Sequence, residues 1–173
     1  MAGDKSYGFP ARLECSGSKG FCRIQLSAII RRMRAVIQRV SSATVEVDGQ
    51  VVGRIGRGLL VYLGVGKADS DSDAAFMAEK LVNLRIFADE AEKMNRSALD
   101  IAGQVLLVSN FTLQGDCRKG RRPGFDGAAE PAMAEQLYDK TAQLIAGKGL
   151  KVAKGVFGAN IERQRWTGNL YPG

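Results

Sequence analysis

The sequence predicts a mixed α/β domain with a β-rich core, and three observations carry the prediction. β-Branched runs dominate residues 35 to 65 and are punctuated by glycines and by Asp48-Gly49. Two segments, "DSDSDAAFMAEKLVNLRIF" and "EPAMAEQLYDKTAQLIAGKG", repeat their apolar residues at helical spacing. Short apolar runs follow each of them, so the order reads strand, hairpin, strand, helix, strand, helix, strand.

The elements follow in chain order. "AVIQRV" is a short β-branched run. "ATVEVDGQVVGRIG" holds two more around Asp48-Gly49, a dipeptide whose two positions both accept positive φ and so suit a two-residue hairpin. Gly58 to Val65, "GLLVYLGV", is almost continuously apolar, which predicts a central strand buried on both faces. The next segment opens with acids and serines suited to a helix N-terminus and continues with Met77, Leu81 and Leu84 at i, i+4, i+7. Asp69, Asp71 and Asp73 alternate as in a calcium loop, but the glycine and terminal glutamate of such a loop are missing, so they read as capping residues. Val105 to Phe111 is the next strand. The second helix puts Ala134, Leu137, Tyr138, Thr141, Leu144 and Ile145 on one face, with Pro131 near its start and Gly147 near its end. "LKVAKGVF" supplies a further strand. The glycines of "GRGLLVYLGVGK" fit neither a dinucleotide nor a nucleoside-triphosphate fingerprint and read as turn glycines. Asp89, Glu90 and Glu92 read as surface.

Composition narrows the chemistry. At 173 residues, 45% apolar and 25% charged, the chain is expected to form one soluble domain, and no run approaches the roughly 18 apolar residues of a membrane span. Cys15, Cys22 and Cys117 form no CxxC pair. With no histidine the usual zinc ligand sets cannot be assembled, and a thiol-reducing compartment is expected. The net charge of +7 is uneven, because residues 1 to 32 carry six Lys/Arg against Asp4 and Glu14. That segment shows no sustained period and reads as a disordered extension, either a targeting segment or the product of a start assigned upstream of Met33; the domain is expected to span residues 33 to 173.

The chemistry-bearing stretch is "VSNFTLQGDCRKGRRPGF", residues 108 to 125. Ser109, Asn110 and Thr112 fall where a strand passes into a loop and backbone N–H groups leave the ladder. Donors aimed at one point can stabilise the oxyanion formed when an ester is hydrolysed. The competing reading is that these side chains satisfy turn hydrogen bonds. A hydroxyl nucleophile needs a neighbouring base, and no imidazole exists to serve. Lys119 could act only with a depressed pKa, which its run of like charges would favour and nothing else in the sequence supports. A site built from backbone donors, shape and a hydroxyl supplied by the substrate accounts for the missing histidine. The adjacent Arg118, Lys119, Arg121 and Arg122 read either as solvated surface or as a track for phosphates; with no aromatics interleaved, base stacking is not expected.

On these residues the chain resembles the D-aminoacyl-tRNA deacylases. "MRAVIQRVSSATVEVDGQVVGRIGRGLLVYLGV" at 33 to 65, "NLRIF" at 83 to 87, "KMN" at 93 to 95, "SNFTL" at 109 to 113, "RKGRRP" at 118 to 123 and "GVFGA" at 155 to 159 stand in the family's order. The resemblance implies a barrel-like mixed sheet with two main helices outside. It further implies a cytoplasmic homodimer with active sites at the subunit interface, no metal or cofactor and no membrane, and hydrolysis of the ester between a D-amino acid, or glycine, and the 3′ end of tRNA. Ser109, Asn110, Phe111 and Thr112 correspond to the family's Ser-Gln-Phe-Thr stretch, where backbone N–H groups near Phe111 and Thr112 would hold the ester carbonyl and the ribose hydroxyl would assist water. The Thr112 hydroxyl is either nucleophile or pocket wall, and the missing base favours the wall. Phe157, Gly158 and Ala159 would line the substrate site, Arg39 would brace a partner's Gly-Pro, and Arg118, Lys119, Arg121 and Arg122 would follow the tRNA phosphates.

The chain departs from the family at its end. Family members close with a strand, a Gly-Pro-Val-Thr turn carrying a cis peptide, and another strand, whereas this chain reads "ANIERQRWTGNLYPG" with no Gly-Pro dipeptide. If "RQRWTGN" is encoded CGT CAG CGT TGG ACC GGT AAC, the frame one base later reads Val-Ser-Val-Gly-Pro-Val-Thr, which points to a frameshift. Loss of the closing strands is expected to expose core and to leave a sheet edge unpaired. Two rival functions stay open. One is a catalytically impaired tRNA-binding homologue without the Gly-cisPro filter that excludes L-amino acids; the other is a threonine-nucleophile hydrolase.

Overall fold

A computed structural model describes residues 33–118 and 120–159, together with the backbone of 164–170. The extension expected over residues 1 to 32 lies outside them.

Strand β1 (Arg34–Val47) is one long element in which "AVIQRV" and "ATVEV" are continuous rather than separate. Asp48 and Gly49 both take positive φ, 51° and 79°, and return the chain into β2 (Gln50–Ile55) in register Val47 to Gln50. This is the hairpin that Asp-Gly predicts. Strand β3 (Gly58–Gly64) pairs antiparallel with the first half of β1, Val40 with Gly58 through Arg34 with Gly64. β2 and β3 therefore run end to end as one antiparallel partner of β1. The parallel neighbours β6 (Gln104–Ser109) and β7 (Lys151–Lys154) extend the sheet in the order β2-β1-β3-β6-β7.

The sheet curls until β2 approaches β7, nearly closing a barrel. Gly53 marks the approach, since a Cβ there would lie 2.8 Å from the Lys154 carbonyl oxygen and 3.1 Å from the Leu106 side chain. The curl creates two apolar cores. Val40, Val45, Ile55, Leu60, Leu106 and Val108 cluster together, while the alternate residues of the same strands, such as Ile37, Leu59, Val61 and Leu107, pack on the helices. β3 is thus buried on both faces, as its unbroken apolar run requires.

Helix α1 (Asp71–Asn83) buries Met77 and Leu81, with Ala74, Ala78 and Val82 filling in between. Its N-terminus is closed by Asp73, whose Oδ2 accepts from the Ser70 backbone N–H at 3.0 Å and the Ser70 hydroxyl at 2.7 Å. Asp69 accepts from the Gly66 N–H, so two of the alternating aspartates organise the helix entry. Among the described residues no acid, cysteine and histidine group is arranged to hold a metal ion. Helix α2 (Pro131–Gly147) starts on its proline and buries Leu137, Tyr138, Thr141 and Ile145, the face its spacing predicts. Two small strands, β4 (Phe87–Ala88) and β5 (Met94–Arg96), form a hairpin that sequence reasoning missed. Its turn is held by Asp89, which accepts from the N–H groups of Ala91 and Lys93 and from the Asn95 amide. Those bonds hold the Asp89 carboxyl below its ordinary pKa.

The tail corrects one expectation. Strand β8 (Gln164–Leu170) pairs antiparallel with β1, Val47 with Gln164 through Val40 with Leu170. Since Val40 also pairs with Gly58 of β3, β8 lies along the opposite edge of β1. That stretch of edge is covered rather than left open, because a ladder is made by backbone groups that any sequence without proline supplies. No cis peptide occurs among the described residues.

Candidate active site

The site begins where β6 ends. Its register with β3 runs to Leu63 and Ser109, and the Asn110 N–H continues it by donating to the Leu63 carbonyl at 2.8 Å. The chain then enters a 3-10 helix, Phe111–Gln114, so the strand expected to reach Phe111 stops two residues earlier. The reason is local. Asn110 caps the turn, its Oδ1 accepting from the Thr112 N–H at 3.0 Å and from the Thr112 hydroxyl at 2.5 Å.

Two further contacts fix the 3-10 turn on the sheet. Gln114 Nε2 donates to the Gly64 carbonyl at 2.9 Å, and Arg34 Nη1 donates to the Leu113 carbonyl at 2.8 Å. Gly64 is a glycine of close approach rather than of a turn. A Cβ at this position would lie 2.8 Å from the Asn110 carbonyl oxygen and 2.9 Å from the Leu113 Cβ.

Beside this turn lies a cavity of about 610 Å³. Its apolar walls include Tyr62, Leu63, Val108 and Tyr138; Ser109, Asn110 and Phe111 bound one side, and Phe157, Gly158 and Ala159 another. Gly158 has φ of 70°, which shapes the turn after β7. The structure thus brings together six of the residues singled out from the sequence. Tyr138 had been read only as a helix-face residue. Its hydroxyl donates to the Leu107 carbonyl at 2.7 Å and its ring packs 5.8 Å from that of Phe157, which ties α2 to the cavity. Tyr62 was missed because the nearly continuous apolar run of Gly58 to Val65 marks it as core and gives no sign of a cavity beside it.

The electrostatics of the cavity are unusual for a hydrolytic site. Among the described lining residues there is no Asp, Glu, Lys or Arg, and only Tyr62 and Tyr138 can titrate. Burial pushes Tyr62 up to about 12 and Tyr138 higher still, so both phenols stay neutral. The Phe111 N–H meets no acceptor among the described residues, whereas the Thr112 N–H is engaged by Asn110. The Thr112 hydroxyl is not part of the cavity wall.

The remaining expected site residues lie elsewhere. Arg39 Nη1 donates to the Ile86 carbonyl at 2.8 Å, away from the cavity lining. The basic loop is closed by paired backbone bonds between Asp116 and Gly124. Arg118 forks onto Asp116 through Nε at 2.9 and 3.0 Å and Nη2 at 2.5 Å, and this ion pair holds the Asp116 carboxyl well below the usual carboxylate range. Arg121 and Arg122 are exposed and make no ion pair among the described residues; Lys119 lies outside them. The loop is joined to the site by Phe125, whose ring meets Phe111 edge-on at 5.3 Å.

A nearly closed mixed sheet with two helices, and a cavity at the carboxyl end of its parallel pair, defines the architectural class. Residues 36–165 match the family described as D-Tyr-tRNA(Tyr) deacylase, and the chain belongs to that family. Similar curated proteins include a D-aminoacyl-tRNA deacylase of Halothermothrix orenii, 53% identical over 130 residues that make up 75% of this chain and 87% of that one. Another, from Geobacter sulfurreducens, is 55% identical over 75% of this chain and 86% of its own. Among solved structures, the c-Myc DNA Unwinding Element Binding Protein superposes with a TM-score of 0.71 at 34% identity, covering 78% of this chain and 90% of that one. A probable eukaryotic D-amino acid tRNA deacylase shares the fold, with a TM-score of 0.68 at 18% identity over 81% and 95% of the two chains.

Proposed function

We propose that the chain hydrolyses the ester joining a D-amino acid, or glycine, to the 3′-terminal ribose of tRNA. The observation that carries this reading is the cavity beside Ser109, Asn110 and Phe111, which among the described residues offers an unengaged backbone donor and no lining side chain able to act as base at neutral pH. A water oxygen adds to the acyl carbon while the carbonyl oxygen gains charge against the Phe111 N–H. The neighbouring ribose 2′-hydroxyl relays the proton. The bond to the 3′-oxygen then breaks, and that oxygen takes the proton, releasing the free amino acid and a 3′-hydroxyl. Phe157, Gly158 and Ala159 bound the side chain of the substrate, and Arg118, Lys119, Arg121 and Arg122 follow the acceptor phosphates. The protein acts in the cytoplasm as a homodimer with Arg39 near the subunit interface.

The threonine-nucleophile reading is disfavoured by the Thr112 hydroxyl, whose proton points to an amide oxygen, a group too weakly basic to activate it. The reading as an impaired tRNA-binding homologue is supported by the absent Gly-Pro dipeptide. Deacylation of D-Tyr-tRNA and L-Tyr-tRNA separates the alternatives. The deacylase reading expects turnover of the D-ester that collapses when the terminal 2′-hydroxyl is removed, with weak discrimination against the L-ester. Binding that falls with salt but never accelerates hydrolysis would leave the impaired homologue.

A further inference from the structure

Arg34 opens β1 opposite Gly64 in the ladder, and Gly64 is the residue on which the 3-10 turn is seated. The Arg34 guanidinium reaches the far end of that turn, where Nη1 donates to the Leu113 carbonyl at 2.8 Å and lies 3.5 Å from the Gly115 carbonyl. The last carbonyls of a helical turn find no partner inside it, and the internal bonds of a 3-10 turn are poorly aligned. Contacts from outside therefore decide where such a short turn sits. Arg34 is half-buried, and its charge is balanced close by: after Arg118, it helps to hold the Asp116 carboxyl low. Phe111, whose backbone N–H meets no acceptor among the described residues, is the first residue of the same turn.

We propose that Arg34 is a positioning residue for the reaction, which sets the place of the Phe111 N–H by gripping the carbonyl end of the turn that Phe111 begins. The proposal rests on the deacylase reading and deepens it by naming a residue that acts through the turn, since Arg34 does not line the cavity. A guanidinium suits the task. Its planar fork reaches two carbonyls from one orientation, and a charged donor bonds more strongly than a neutral one. The rival role for an arginine near a basic loop is a phosphate contact. Against it stand the half-buried side chain, its donation to backbone carbonyls and the nearby Asp116 carboxylate, beside which a phosphate would have to be brought.

Arg34→Met keeps the apolar stem and removes the donors. Single-turnover hydrolysis of D-Tyr-tRNA at saturating protein should slow about tenfold or more, the effect of a displaced backbone donor. The affinity for uncharged tRNA and its salt slope should stay at their wild-type values, because no phosphate contact is lost. Arg34→Lys returns a charged donor and should recover most of the rate. The Phe111 amide resonance in a 15N spectrum should move in the methionine variant and return toward its wild-type position in the lysine variant, a readout that a loss of global stability alone does not shift while the protein stays folded. Arg34→Gln takes the place of the methionine variant if that one does not fold, with the same loss expected. A folded variant without the guanidinium that keeps the wild-type rate, or whose loss lies in tRNA affinity and salt slope instead, overturns the proposal and leaves the deacylase reading intact. Wild-type protein that does not accelerate hydrolysis of D-Tyr-tRNA overturns both.

Discussion

Thr112 has the one hydroxyl of the "SNFTL" stretch that a nucleophilic mechanism would single out, yet its proton is spoken for. Replacing it with valine removes a bond to Asn110 and should lower stability by about 1 kcal/mol in a denaturant titration. The deacylation rate should stay within about tenfold, short of the roughly 10²–10³-fold loss that follows removal of an oxyanion donor. An inactive but folded valine variant would restore the nucleophile reading. Gly64 makes the opposite case, a residue with no chemistry on which the site depends. An alanine there would press its methyl against the Asn110 carbonyl and the Leu113 Cβ. The expected cost is about 1–3 kcal/mol, together with a lower deacylation rate as the 3-10 turn shifts off the end of β3. Thermal melting and single-turnover kinetics read the two effects separately.

At the scale of elements, the basic loop and β8 carry the consequences. Arg118 is already paired with Asp116, whereas Arg121 and Arg122 are exposed and unpaired among the described residues. Substituting both by glutamate should weaken tRNA binding and reduce the slope of log affinity against log salt by about 2, while Arg118→Ala should change it less. Filter binding over a salt series measures this, and an unchanged slope would remove the loop from the tRNA interface. β8 covers β1 from Val40 to Val47. Deleting residues 164 to 173 should bare that edge and favour association through it, seen as concentration-dependent light scattering.

For the molecule as a whole, the curled sheet and its helices keep the Tyr138 phenol buried and that of Tyr62 half-buried near the site. A group whose folded pKa is raised contributes stability that is fully present below its unfolded pKa and is lost as pH rises through the folded value. Tyr62, raised to about 12, and Tyr138, raised further, therefore predict stability that holds to about pH 10 and declines as pH climbs toward 12 and beyond. Tyr138→Phe should flatten that decline while costing about 1 kcal/mol at neutral pH through the lost bond to the Leu107 carbonyl. Denaturant midpoints across pH 8 to 12 are the measurement.

By itself the sequence determined the order of the main elements, because alternation and helical spacing report which face of a strand or helix must leave water. Asp48-Gly49, the apolar run of β3 and the stripe on α2 were legible for that reason; of the stretch 109 to 112 that ends the next apolar run, Ser109, Asn110 and Phe111 line the cavity and Thr112 does not. Tertiary structure alone decided that "AVIQRV" and "ATVEV" join into one strand, that β2 comes round to β7 at Gly53, and that residues 164 to 170 pair with β1. It alone decided, too, that Tyr62 and Tyr138 share a cavity with Ser109 and Phe157. Periodicity is a local property of the chain, while closure of a sheet, the filling of an edge and the shape of a cavity depend on contacts between residues far apart in sequence.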